Sequence, residues 1–140
     1  MNINLKSMFL FSKEVAPIMK RQRSGKIVST SSTAGLTGHG LSGGSGPAYG
    51  ASKAGIINLT KTLACQLGPF NVNVNCIAPG SVPETAFKMT EQEIEKELAG
   101  QPLKRVGKTT DIAELVAFLC SDAASWITGQ TISVNGGRVI

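Results

Sequence analysis

Tyr49 and Lys53 are the residues of this chain whose types and spacing suit acid–base chemistry. Four positions apart on a helix, they share a face one turn from each other. A phenol titrates near pH 10 and alone is a poor proton donor or acceptor at neutral pH. A neighbouring ammonium favours the phenolate and draws that value toward the useful range. A Tyr–Lys pair at this spacing also arises by chance, and it then reads as a surface tyrosine beside a lysine. Three further features give the pair weight. Ser32 ends the strand before it, where a hydroxyl can hydrogen-bond a substrate oxygen. Ala78-Pro79-Gly80 ends the following strand, on the side where ligands sit in parallel sheets. Asn4 lies at the start of the first helix.

The elements that must position these groups follow from periodicity. Residues 4–20 place Leu5, Met8, Phe9, Val15 and Ile18 near helical spacing, and residues 21–25 form a polar stop. Residues 26–31 read as a short buried strand. The glycine-rich stretch 34–47 reads as a loop. The longest helical pattern spans 49–67, and Gly68-Pro69 closes it in the order expected of a helix C-terminus. Residues 72–77 form the next strand. The Glu-rich stretch 89–100 reads as an exposed short helix. A further helix spans 111–121, with Asp111 or Thr110 as its cap and Glu114 placed to answer it. Residues 131–134 form a final strand, stopped by Gly136-Gly137. Alternating helices and strands with short connections predict an α/β fold, about three parallel strands joined by crossover helices.

Composition removes several function classes. At 140 residues and 41% apolar content the chain can build a packed core, and 16% charged residues is too few for disorder. No apolar run approaches the roughly eighteen residues of a membrane span, and residues 1–6 carry no secretory signal pattern. Cys65, Cys76 and Cys120 are odd in number and widely spaced, so they read as core thiols in a reducing cytoplasm. With one histidine besides, they leave little material for a metal centre. The net charge of +5 divides into +7 over residues 1–70 and −2 over 71–140. Its one basic cluster, Lys20, Arg21, Arg23 and Lys26, sits at a helix end, where cations suit the dipole. No aromatics are interleaved with it, which speaks against nucleic-acid binding. His39 reads as solvated and Trp126 as a packing anchor.

Gly38-His39-Gly40-Leu41-Ser42-Gly43 spells a dinucleotide fingerprint after a strand, yet it opens no helix whose amides would meet a pyrophosphate. No acid stands near position 62 to hold a ribose hydroxyl. A surface loop is the better reading.

The order Asn4, Ser32, Ala48-Tyr49-Gly50-Ala51-Ser52-Lys53-Ala54-Gly55, Pro79-Gly80 resembles the short-chain dehydrogenase/reductase family. Trp126-Ile127-Thr128-Gly129-Gln130 followed by Val134-Asn135-Gly136-Gly137 resembles its closing strand. The flavour is that of 3-oxoacyl-acyl-carrier-protein reductases and glucose dehydrogenases. The resemblance implies an NAD- or NADP-dependent oxidoreductase that interconverts a secondary alcohol and a ketone. It implies Tyr49 as general acid or base and Lys53 as its partner and a ligand of the nicotinamide ribose. Ser32 would polarise the substrate carbonyl, and Asn4 would hold a water linking Lys53 to solvent. Pro79, Gly80, Val82 and Thr85 would line the nicotinamide, and residues 87–102 would form a mobile substrate loop. Members of the family commonly associate through the helices matching 4–20 and 49–67, so a homo-oligomer is expected.

This sequence departs from the family pattern in three ways. The intervals from Ser32 to Tyr49 and from Gly80 to Thr85 are longer than usual, and the family's dinucleotide-binding front half has no counterpart. Family domains run to roughly 250 residues. Residues 1–140 therefore read as the C-terminal portion of one Rossmann-like, doubly wound domain. The rival expectation is a truncated, non-catalytic remnant that pairs through its long helices.

Overall fold

The computed structural model describes residues 2–37, 46–83 and 89–140. Its sheet consists of β1 (Gly25–Thr30), β2 (Val72–Pro79) and β3 (Thr131–Val134), all parallel and in that order. A π-helical turn at Asn2–Lys6 leads into α1 (Ser7–Gln22), which precedes β1. Between β1 and β2 lie α2 (Ala34–Thr37) and α3 (Pro47–Leu67). Between β2 and β3 lie α4 (Glu91–Ala99) and α5 (Thr109–Cys120).

Side-chain alternation along the strands sorts the helices onto two faces. Val72 and Val74 meet Ala64 and Leu67 of α3, with Ala16 and Met19 of α1 packed alongside. Ile77 points the other way, into Leu119 of α5 and Ala124, with Val28 and Ile132 against them. Ile27 pairs with Val74 and Ile77 with Ile132, so each apolar layer continues from strand to strand. Burying side chains such as Leu67, Ile77 and Leu119 stabilises the fold by about 1.5–3 kcal/mol each. Central β2 is covered on both faces, as a parallel sheet requires. Buried Asn75 is satisfied there: its amide donates to Ile127 O at 2.8 Å and its carbonyl accepts from Gln130 N at 3.1 Å.

The fold corrects several expectations. The stretch after β1 is not all loop, because Ala34–Thr37 makes a helical turn; His39 and the false fingerprint at 38–43 lie outside the described residues. Helix α5 is capped at Lys108, and Asp111 is the residue that answers, accepting from Lys108 N at 2.8 Å. Helix α4 is not wholly exposed, since Glu97 is buried. Of the three cysteines only Cys76 is buried. Cys65 is rotated about 100° from inward-facing Ala64, and Cys120 lies one position beyond the fully buried Leu119. Trp126 is 97% exposed and anchors nothing, because its neighbour Ile127 faces the core in its place. No helix among the described residues is long and apolar enough to cross a membrane.

The α5 cap carries a pH prediction. Arg105 grips Asp111 with two hydrogen bonds, at 2.7 and 2.9 Å. Those bonds first, and the Lys108 N–H second, draw the Asp111 carboxyl from 3.8 down to about 2. A carboxyl whose folded value lies below its unfolded one contributes stability above the unfolded value and loses it as pH falls toward the folded one. Asp111→Asn should lower the melting temperature at neutral pH, with the gap to wild type closing between about pH 4 and pH 2. Thermal melts across that range check it; a gap that persists at low pH would contradict the assignment.

Candidate active site

The backbone ladder continues past the strands and sets the positions of the chemistry-bearing residues. Ser31 N donates to Ile77 O at 2.8 Å and Thr33 N to Pro79 O at 3.1 Å. Ser32 is thereby held beside the C-terminal end of β2, the side of a parallel sheet where ligands bind. Its Oγ accepts from Ala34 N at 3.2 Å, which caps the α2 turn and leaves the O–H proton able to donate.

Helix α3 enters at Gly46 with Pro47 in its first turn, so its missing N–H costs no hydrogen bond. Tyr49, 37% exposed, follows immediately, and Lys53 lies one turn on. The Lys53 ammonium stands 5.5 Å from the centre of the Tyr49 ring. It donates to Thr30 O, the last carbonyl of β1, at 2.9 Å. Burial pushes the Lys53 pKa down, and the nearby Cys76 opposes this only in its ionised form. Burial in turn pushes the Cys76 thiol up.

Two hydroxyls that sequence reasoning passed over fix this helix. Ser31, buried, donates to Lys53 O at 2.8 Å and ties the end of β1 to α3. Ser52, fully buried, donates to Tyr49 O at 2.7 Å and accepts from the Asn4 amide at 3.1 Å. Asn4 is thus bound to α3 between Tyr49 and Lys53. Glycine is also required at position 35: a Cβ there would lie 2.8 Å from the Lys53 carbonyl carbon and 2.7 Å from Ser31 Oγ.

The hydrogen bonds therefore tie Asn4 through Ser52 to the Tyr49 backbone, and Lys53 separately to Thr30 and Ser31; Lys53 meets Tyr49 through the ring contact, and Ser32 adjoins Ser31. Pro79, Gly80 and Val82 follow at the end of β2. Gly80 packs so closely on Asn135 that an added Cβ would come within 2.9 Å of the Asn135 Cβ. Val82 lies against Gly107. Thr85 lies outside the described residues. Of the stretch expected as a substrate loop, residues 91–99 form α4.

A parallel sheet with helices on both faces, and a phenol and an ammonium where its strands end, define a Rossmann-like α/β protein. The family model described as enoyl-(acyl carrier protein) reductase matches residues 1–138. The chain belongs to the short-chain dehydrogenase/reductase family. It is 43% identical to the 3-oxoacyl-(acyl-carrier-protein) reductase of Thermotoga maritima, over 99% of this chain and 55% of that relative. A short chain dehydrogenase from Leptospira borgpetersenii with bound NAD+ superposes with a TM-score of 0.89 at 31% identity, over 99% of this chain and 54% of that one. A 3-oxoacyl-(acyl-carrier protein) reductase from Brucella melitensis with bound NAD gives 0.83 at 35% identity, over 97% and 49%. The chain spans about half the length of the curated relatives it matches.

Proposed function

We propose that residues 1–140 form the C-terminal portion of one short-chain dehydrogenase/reductase domain that interconverts a secondary alcohol and a ketone, with NAD or NADP as cofactor. A 3-oxoacyl thioester is the substrate class suggested by the relatives' names. The observation that carries the reading is the Lys53 ammonium beside the Tyr49 ring and bonded to the end of β1. The donor set fits a nicotinamide riboside, with an ammonium and a phenol for hydroxyl groups and the turn at Pro79 and Gly80 for the ring.

When bound, the cofactor supplies the hydride for reduction or accepts it in oxidation. In reduction the Ser32 O–H donates to the substrate carbonyl and holds it in place. The Tyr49 hydroxyl gives its proton to that oxygen as negative charge grows there. Lys53 stabilises the charge left on the phenol and binds the ribose. Asn4 holds a water that returns a proton along this route. Pro79, Gly80 and Val82 would line the nicotinamide. The reading places the enzyme in the cytoplasm, as a homo-oligomer paired through residues 4–20 and 49–67.

The test is loss of NADH or NADPH absorbance with a 3-oxoacyl thioester, with sedimentation run alongside. Saturable turnover is expected of the complete domain that contains residues 1–140; its absence there with both cofactors would reject the catalytic reading. A second reading, a helix-paired interaction module, draws on the exposure of Phe9, Leu10, Phe11 and Ile18 along α1. It predicts association that Phe9→Asp abolishes and no turnover by either protein.

A further inference from the structure

Most charged side chains of α4 face water, but Glu97 is 5% exposed. Its carboxylate accepts from Ser81 Oγ at 2.8 Å, so the residue directly after Gly80 is tied to α4. Arg138, in the tail beyond β3, donates to Glu97 O at 2.6 Å and places a second guanidinium nitrogen 3.6 Å from the carboxylate. The tail is itself fixed. Arg138 N donates to Asn135 O at 3.1 Å, and Asn135 Oδ1 accepts from Gly137 N at 2.9 Å. Gly136 O accepts from Leu103 N at 3.0 Å. Asn135 is also the residue packed on Gly80. Three segments distant in sequence thus converge on one buried carboxylate: the exit of β2, helix α4 and the C-terminal tail.

A buried ion pair is a poor device for adding stability, because desolvation offsets most of the attraction. It is a good device for fixing one arrangement, since every alternative leaves a charge stranded without a partner. We infer that Ser81, Glu97 and Arg138 are positioning residues that hold α4 in register against the end of β2, and so set the wall of the substrate site. The inference rests on the catalytic reading above for its consequence in turnover, but not for the structural coupling itself.

Arg138→Met keeps most of the side-chain bulk and removes the guanidinium. Hydrogen–deuterium exchange over residues 91–99 should speed up by about tenfold or more relative to wild type, with α3 amides unchanged. The KM for the carbonyl substrate should rise by about tenfold, while kcat and cofactor affinity stay within about twofold. Arg138→Lys should recover part of both effects, because it restores the charge without the fork. Ser81→Ala leaves the ion pair whole and guards against a folding failure of Arg138→Met. It should give a smaller rise in KM, of about threefold. Unchanged exchange in α4 would overturn the coupling. Faster exchange with an unmoved KM would overturn the role in the substrate site. A complete domain without turnover would reject the catalytic reading, and exchange alone would then decide the coupling.

Discussion

Tyr49→Phe should reduce turnover by about 10²–10⁴-fold and leave cofactor affinity within about twofold of wild type. The substitution removes one oxygen from a partly exposed ring and touches none of the contacts that hold α3. The bonds from Ser52 to Tyr49 O and from Asn4 to Ser52 involve backbone and other side chains, so both persist. Phenylalanine retains the ring face beside the Lys53 ammonium, and cation–π attraction acts on the ring rather than the hydroxyl. The variant should therefore melt near the wild-type temperature and bind NADH or NADPH normally, yet lack the group that protonates the substrate oxygen. Fluorescence titration and steady-state kinetics on the same preparation separate the two effects. Retained turnover would remove Tyr49 from the chemistry. Lost cofactor binding at an unchanged melting temperature would show that the phenol acts chiefly by holding the cofactor.

What could be read from the sequence was whatever depends on near neighbours in the chain. Helix α3 and strand β3 were legible because apolar spacing and glycine punctuation are local signals, and the Tyr49–Lys53 pair because both lie on one helix. The parallel order followed from the alternation of helices and strands, which admits few other topologies. The contacts that fix the site were not legible. Ser31 and Ser52 are ordinary small residues until the fold brings them to Lys53 O and Asn4. Glu97 belongs to a run of glutamates that reads as a solvated face, and its partner Arg138 is 41 positions away. Cys65 and Trp126 failed for a related reason. Burial averages by residue type do not say which side of an element faces the core, and a neighbour one position away took that place in each case.

Lys53→Met separates the two roles given to the lysine from its place in the fold. Methionine has similar length and flexibility but no charge and no donors. It can neither stabilise charge on the phenol nor hold a ribose hydroxyl. Turnover should fall by about 10²-fold or more, and cofactor Kd should rise by about tenfold. The second effect distinguishes it from Tyr49→Phe. Lys53→Arg should not restore activity, because a planar fork does not replace a compact ammonium. Stability should move differently. Burial lowers the Lys53 pKa, so the charged form is less favourable in the folded protein than in the unfolded chain. That cost is present at neutral pH and fades as pH rises through the lowered value. Methionine removes the cost and gives up the bond to Thr30 O. The melting temperature should hold steady or rise while activity collapses. A variant that unfolds in proportion to its lost activity, or one whose cofactor affinity is unchanged, would show that the ammonium braces β1 against α3 and takes no part in binding.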